Sequence, residues 1–471
     1  MTKGERARET ESGKINEWRR TMKPRVFALI AVMALVLAAC TGDVAGTTTT
    51  AAAEEEATTT AAPSEATTTA APAEATTTAA STEGALSEYG ESTDADPALV
   101  EKALGPVPEV PDIVLASIAR AEQDLDQATI DKALECWSAV ECETGTGGEV
   151  IMGYADGGGL NVWRQVTRME AVLQALTYPE IGTMVFRDAQ WSTDPAVPIG
   201  DINYMVERGV TFIIGYPDWG LALGDAIKAA EAAGIPYVPY SAGWVGLPGQ
   251  DGALVPGTDY LSIVGEDLCA LGESFSQVIN DGVGEGSIGV LGGTPGNALS
   301  LGWQQCHLQT LADTIEVVNP PADENSTTGD TYWANDIARD VVSGMLSTNP
   351  DIGGFSYEYA DGLATALADV EIGTMTLAIR TDEQTLFCDW VERDNPDYHI
   401  WYSAGGNFQS RTAVTAQMMK LAGAEIPAEI VVPHVMREVT ASDCNPDRVT
   451  PTVSNTSLVP DPVLALMYPE G

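Results

Sequence analysis

The chain has 471 residues and carries 68 acidic against 23 basic side chains, which gives a formal charge of −45 at pH 7. A field of this sign repels nucleic acid and anionic lipid surfaces, so the composition argues against both as partners. Hydrophobic residues make up 44% of the chain. The stretch of about 350 residues between 100 and 450 exceeds what one core usually spans, so we expect two lobes.

The N-terminal region has the pattern of an export signal. A basic start at 22–25 precedes an apolar run of 14 residues from 26 to 39. Such a run is too short for a membrane-spanning helix, which needs about 20 residues, but it suits the hydrophobic part of a secretory signal. Residues 1–21 extend the charged part unusually far, so Met22 is an alternative start.

The small residues directly before Cys40 resemble the lipobox of bacterial lipoproteins. The resemblance implies cleavage of a signal peptide over residues 1–39 and attachment of lipid to Cys40. The protein would then be extracytoplasmic and anchored to the outer face of the cytoplasmic membrane. A plain signal peptide followed by a chance cysteine is the alternative.

A Thr/Ala/Pro/Glu-rich segment follows the signal. The sequence of residues 56–63 recurs at 65–72 and, without its proline, at 74–80. Such a composition buries too little apolar area to offset the entropy of ordering, so we expect a disordered tether over 40–98. A flexible chain of this length typically reaches about 40 Å.

Apart from Cys40 the chain has six cysteines, which in an exported protein predict three disulfides. Pairing neighbours in sequence gives Cys136–Cys142 as the first candidate, inside an N-terminal extension over 99–147. The same rule gives Cys269–Cys306 and Cys388–Cys444, although six cysteines allow 15 connectivities. None of the three histidines stands at ligand spacing from a cysteine pair, so we expect no metal and no cofactor.

From residue 148 onwards, short apolar strands alternate with amphipathic helices. The predicted strands are 149–154, 183–186, 211–215, 236–240, 287–291, 315–318, 354–357 and 376–379. The predicted helices are 161–176, 202–208, 221–233, 268–279, 299–312, 333–346 and 363–370. This alternation indicates an α/β protein with parallel sheets covered on both faces.

Two such runs meet near 263–266 and predict two doubly wound lobes joined by a hinge. We expect lobe 1 to comprise 148–262 and 403–440 and lobe 2 to comprise 263–402, with a C-terminal tail over 441–471.

The order of landmarks resembles the type 1 periplasmic binding proteins, in particular the ribose-binding-like sugar group that serves ABC transporters. The landmarks are a helix-turn into the fourth strand at 226–236, a hinge crossing at 264–267 and a turn at 359–364. In the last of these Ala360 stands where the family often has Asn. The resemblance covers about residues 148 to 440.

The resemblance implies a monomeric protein that holds a small molecule between lobes that close by hinge motion and delivers it to an ABC permease. A sugar is the expected ligand, with a nucleoside or another small metabolite as the alternative. A ligand sensor that docks on a membrane receptor is a further alternative. We expect no enzyme activity, because the chain lacks a Gly-x-Ser-x-Gly elbow, a His-Glu-x-x-His helix and a phosphate loop.

Ligands of open parallel sheets bind beyond the carboxyl ends of the strands. An indole covers the apolar face of a sugar, and buried polar groups select its hydroxyls. On position and residue type the candidates for ligand binding are Asp156, Asn161, Trp163, Ser241, Trp244, Asn297, Trp333, Asp361, Asp382 and Gln409.

Each candidate also has a structural interpretation. Any one of the tryptophans could pack in the core, while Asn297 and Asp361 could cap helices. Ser241 departs from the Asp-Arg pair that the family commonly has after the fourth strand, which leaves Trp244 as a substitute. Arg380 could bind a hydroxyl or pair with an acid.

Overall fold

A computed structural model describes residues 91–158, 161–190, 192, 194–241, 243–403, 405–447 and 453–469. The predicted signal peptide, Cys40 and residues 40–90 of the predicted tether lie outside these residues. Within them, no helix is long and apolar enough to cross a membrane.

The described chain opens with three helices that pack on the first lobe. They are α1 (Pro97–Leu104), α2 (Asp112–Ala121) and α3 (Gln127–Ser138). Helix α1 therefore begins inside the segment predicted as tether. Asp96 caps it by accepting a hydrogen bond from the backbone N–H of Ala98, and a proline occupies its first turn, which favours a helix start.

The first lobe is built on a five-stranded sheet with the order β1-β3-β2-β4-β5. Its elements are β1 (Glu141–Glu143), β2 (Val150–Asp156), α4 (Val162–Leu176), β3 (Ile181–Asp188), α5 (Ala196–Arg208), β4 (Phe212–Tyr216), a 3-10 turn (Gly220–Leu223), α6 (Gly224–Ala232) and β5 (Tyr237–Pro239). Only β1 runs antiparallel. All five residues of β4 are buried, as expected for a central parallel strand.

The second lobe follows a short hinge strand, β6 (Ile263–Gly265). Its elements are α7 (Leu268–Gly282), β7 (Gly286–Val290), α8 (Ala298–Thr310), β8 (Ile315–Val317), α9 (Asn335–Thr348), β9 (Ile352–Tyr357), α10 (Ala360–Leu367), β10 (Met375–Ile379), α11 (Gln384–Arg393) and β11 (Tyr398–Tyr402). The strand order β8-β7-β9-β10-β11 is that of a doubly wound sheet, and all these pairs are parallel.

The chain then returns to the first lobe before crossing once more. Helix α12 (Gln409–Leu421) packs on α4, and β12 (Glu429–Val431) pairs in parallel with β6. Strand β13 (Arg437–Glu438) next joins the second sheet, antiparallel to β11. The lobes are thus linked by three crossings, at 263–267, 403–408 and 432–436. The predicted boundary of lobe 1 at 440 is too late, because β13 already belongs to the second sheet.

The C-terminal segment is integrated into the fold. Asp382 of lobe 2 accepts hydrogen bonds from the Ser454 hydroxyl and the Thr456 backbone, while Glu170 of α4 accepts from the backbone of Leu458 and Val459. The chain ends in helix α13 (Asp461–Met467), which packs on α3. This segment therefore contacts both lobes.

All three disulfides predicted from sequence order are present. Cys136–Cys142 joins α3 to β1, Cys269–Cys306 joins α7 to α8, and Cys388–Cys444 joins α11 to the chain after β13. The predicted fold class of two doubly wound α/β lobes is confirmed. Helix α11 and strand β11 were not predicted, since the sequence prediction of this run stopped at residue 379.

Candidate functional site

A narrow cavity lies between the lobes, where the carboxyl ends of β2 and β4 face those of β9 and β10. It is lined by Asn161, Trp163, Arg164, Tyr216, Leu299, Trp333, Glu358, Tyr359, Arg380 and Thr381. The cavity volume is about 20 Å³, which is room for roughly one water molecule. Any larger ligand therefore requires the two lobes to separate before it enters.

Arg164 supplies the charged wall on the side of lobe 1. It stands in the first turn of α4, which begins here because the Asn161 side chain caps the helix by accepting from the Arg164 backbone, 2.9 Å away. The guanidinium pairs with Asp156 at the end of β2 and, at 2.6 Å, with Asp218 after β4. All three side chains are buried.

The carboxylates around Arg164 exceed it in number. Burial raises the pKa of Asp218 to about 7, although Arg164 opposes this shift. The second carboxylate oxygen of Asp218, Oδ2, has no hydrogen-bond partner among the described residues. Two acids share one base here, so the group carries excess negative charge when both are ionised.

Glu358 supplies a buried carboxylate on the side of lobe 2, directly after β9. Its Oε1 accepts hydrogen bonds from the Ser300 hydroxyl at 2.5 Å and the Trp333 indole at 3.1 Å, and its Oε2 accepts from the Trp303 indole at 2.5 Å. Burial raises the pKa of Glu358 to about 7, and these donors act against that rise. The side chain is only 2% exposed.

Trp333 closes the cavity from lobe 2 in a strained backbone conformation. Its φ is +52° and that of Tyr332 is +54°, a region that residues with a side chain rarely adopt. The indole meets the Tyr216 ring of lobe 1 edge-on, with centroids 6.0 Å apart. The Arg164 guanidinium lies 5.6 Å from its ring centroid. Such a conformation persists only where the surrounding structure holds it in place. Residues of this kind cluster at active sites and ligand sites.

Arg380 connects the cavity to the hinge. It leaves the end of β10, and its guanidinium bonds Glu266 of the first crossing at 2.9 Å and the Ser241 hydroxyl of lobe 1 at 2.8 Å. Arg380 lowers the pKa of Glu266, although burial works in the opposite direction. Arg380 thus lines the cavity and also bonds the hinge. A ligand that contacts Arg380 would therefore affect the bonds that hold the two lobes in their present arrangement.

Two further hydrogen bonds link the lobes around the cavity. The Asn297 side chain of lobe 2 donates to the Asp218 carbonyl of lobe 1 at 3.0 Å. The Trp163 indole donates to the Gly405 carbonyl in the second crossing at 2.8 Å. These contacts hold the lobes together on both sides of the cavity.

The structure brings three of the sequence-predicted residues into the cavity wall: Asn161, Trp163 and Trp333. Asp156 and Ser241 lie behind the wall, bonded to Arg164 and Arg380 respectively. Asn297 caps α8 through Leu299 and bonds Asp218 across the lobes.

The remaining predicted residues do not line the cavity. Trp244 lies in a separate groove beside the β6–β12 pair. Asp361 accepts from Asn335 and Tyr359, and Asp382 binds the C-terminal segment. Gln409 is fully buried at the start of α12.

Several wall residues escaped the sequence prediction, although a simple positional signal was available. Glu358 directly follows the predicted strand 354–357, and Tyr216 follows 211–215. After 354–357 the prediction favoured Asp361, three residues further on. After 376–379 it favoured Asp382, although it also named Arg380 as able to bind a hydroxyl or pair with an acid. Leu299, Tyr359 and Thr381 carry no signal that distinguishes them from core residues. Among the described residues no cluster of three metal-ligating side chains occurs.

The model of the periplasmic binding protein domain family matches residues 154–425. Similar solved structures include an ABC transporter solute binding protein from Agrobacterium vitis bound with α-D-tagatopyranose. It shares 16% identity over 61% of this chain and 94% of that chain, with a TM-score of 0.51.

A protein from Mycobacterium smegmatis in complex with β-D-fucofuranose shares 16% identity over 62% of this chain and 92% of that chain, with a TM-score of 0.51. A solute binding protein from Bacillus halodurans with bound myo-inositol shares 18% identity over 62% of this chain and 96% of that chain, with a TM-score of 0.50. At such identities the likeness shows the fold. No curated protein sequence matches the chain.

Proposed function

The chain belongs to the periplasmic binding protein domain family, a family of binding proteins and not of enzymes, and we propose that it captures a sugar or a sugar-sized polyol between its lobes. The observation that carries this proposal is the composition of the cavity wall. Two indoles, Trp163 and Trp333, face the same space from different lobes. The same wall carries side chains that can bond hydroxyl groups, namely Asn161, Glu358 and Arg380.

This wall has the chemistry that a sugar ring needs. Indole rings cover the apolar face of a ring at low entropic cost, while buried polar groups reject ligands that leave them unpaired. Closing the lobes excludes water and strengthens each hydrogen bond. The solved structures named above hold monosaccharides or a cyclitol, which agrees with a ligand of that size.

Delivery and anchoring complete the proposal. We propose that lipid on Cys40 holds the protein at the outer face of the cytoplasmic membrane and that an ABC permease receives the ligand. The Thr-rich segment after Cys40 would let the lobes diffuse near the permease without escaping from it.

A thermal-shift screen of monosaccharides, cyclitols and nucleosides tests the proposed ligand class. A ligand that binds only the folded protein raises the melting temperature, and the rise grows with the logarithm of the ratio of ligand concentration to Kd. We expect at least one monosaccharide or cyclitol to raise the melting temperature of the wild-type protein and to raise that of Trp163→Ala less. A screen in which nucleosides alone shift the transition would contradict the proposal.

A further inference from the structure

The wall itself carries one acid, Glu358, and two bases, Arg164 and Arg380, but the buried charged cluster that these residues form with their partners contains more acids than bases. Arg164 is paired with Asp156 and Asp218, and Arg380 is paired with Glu266. That leaves Glu358 without an ion pair to any basic side chain among the described residues. With all groups ionised, four carboxylates therefore face two guanidinium groups.

The hydrogen bonds of Glu358 come from neutral groups only. One hydroxyl and two indole N–H groups donate to it, and Oε2 accepts a single one of these bonds. A carboxylate oxygen can accept two hydrogen bonds, so Oε2 has the capacity for a further donor. A buried carboxylate without a cation is costly to maintain, and the rise in its pKa on burial reflects that cost.

The aromatic walls of the cavity also suit a cation. The faces of indole and phenol rings carry negative potential that attracts ammonium and guanidinium groups. The Arg164 guanidinium already uses this property, since it lies 4.5 Å from the centroid of the Tyr216 ring. The second carboxylate oxygen of Asp218, which lacks a hydrogen-bond partner, adds to the negative potential on the lobe 1 side.

We propose that the ligand is an amino sugar or amino cyclitol whose protonated amine donates to Glu358 while its ring lies between Trp163 and Trp333. This rests on the proposed function, because it specifies the ligand of the same cavity. The ammonium group supplies a direct ionic partner for Glu358, because Arg380, the basic side chain in the same wall that acts on it from a distance, is paired with Glu266 instead. A neutral sugar fills the same space but offers no charge to Glu358, which then binds it as the protonated acid.

Isothermal titration with matched ligands tests the proposal. Each of glucosamine, galactosamine and mannosamine is compared at pH 6.5 with the parent hexose and with the N-acetyl derivative, which keeps the nitrogen but removes its charge. We expect at least one amine to bind ten-fold or more tightly than both of its counterparts. Equal or tighter binding of the neutral members overturns the amine proposal and leaves the sugar-binding function in place. If no member of any set binds, the amine proposal is wrong, and the thermal-shift screen of monosaccharides and cyclitols decides the sugar-binding function.

A pair of variants assigns the effect to Glu358. Glu358→Gln keeps the size and an acceptor oxygen but removes the charge, so it should lose the preference for the amine while it still binds the neutral hexose. Glu231→Gln removes a carboxylate of lobe 1 that accepts from the backbone of Tyr237 and Leu261, and it should keep the preference. If Glu358→Gln does not fold, the comparison of each amine with its N-acetyl derivative on the wild-type protein still tests the amine proposal. An unchanged preference in folded Glu358→Gln contradicts the assignment.

Discussion

Gly293 and Trp333 show how tightly the wall of the cavity is packed at the scale of single residues. A Cβ atom at position 293 would lie 2.0 Å from the Trp333 indole, so only glycine lets the ring lie against the backbone here. The backbone at Trp333 is in the left-handed region and is strained. The packing of its indole against Gly293 helps to hold the backbone in that conformation. The position of the indole therefore depends on a residue that has no side chain of its own.

We predict that Gly293→Ala displaces Trp333 and weakens ligand binding at least ten-fold. Overpacking of this kind destabilises a protein by about 1–3 kcal/mol. Gly344→Ala is the matched control, because a Cβ there meets nothing within 4 Å and alanine favours the interior of α9. Urea denaturation and titration calorimetry measure the two effects. Wild-type stability and affinity in Gly293→Ala would show that the close approach is unimportant.

Glu383 provides a prediction for the pH dependence of stability. Its side chain is 1% exposed, Oε2 accepts from the Thr381 hydroxyl, and Oε1 has no hydrogen-bond partner among the described residues. Burial raises its pKa from 4.5 to about 8. The folded protein thus retains a proton that the unfolded chain loses near pH 4.5, so this group makes folding less favourable as the pH rises from about 5 to 8.

Glu383→Gln should remove this pH dependence. We expect its free energy of unfolding to be close to that of the wild type below pH 4.5 and to exceed it increasingly up to pH 8. Urea denaturation at several pH values measures the difference. Glu371→Gln, at an exposed position, should follow the wild-type curve. A gain in stability for Glu383→Gln that is the same at pH 4.5 and pH 8 would rule out burial of the carboxyl as its cause.

At the scale of elements, the sequence predicted whether a segment is a helix or a strand better than it predicted the residues at which the segment begins and ends. Strand β4 was found within one residue because its apolar run is buried on both faces. Helix α5 begins at Ala196, six residues before the predicted start at 202, since Pro195 and Pro198 concealed the helix start. Helix α9 begins at Asn335 and leaves Trp333 in the preceding turn. Proline-rich starts and left-handed turns depend on tertiary packing, which a sequence pattern does not contain.

Prediction of the site residues from the sequence is limited in the same way, because it also depends on tertiary packing. The rule that ligands lie beyond strand ends led to loops that line the interlobe cavity, where Asn161, Trp163 and Trp333 lie in the wall; their role in binding stays a prediction. Which residue of a loop faces the cavity depends on how the loop turns after the strand ends, and a sequence pattern does not contain that turn. Asp382 consequently binds the C-terminal segment, while Arg380, two residues earlier, faces the cavity.

At the scale of the whole molecule, the lobes and the hinge act through one buried cluster. Arg380 from lobe 2 reaches Glu266 in the first crossing and Ser241 in lobe 1, so the cavity wall and the hinge share a side chain. A cavity of about 20 Å³ admits a ring only when the lobes separate. Binding is therefore expected to proceed by opening at the hinge and closing around the ligand.

The central claim is that a ring-shaped ligand binds between the two lobes. A crystal structure of the protein with the tightest ligand from the screen tests it most directly. We predict density for the ring between Trp163 and Trp333, with polar contacts to Glu358 and Arg380. Density in the separate groove beside Trp244, with the interlobe cavity unchanged, would contradict the claim.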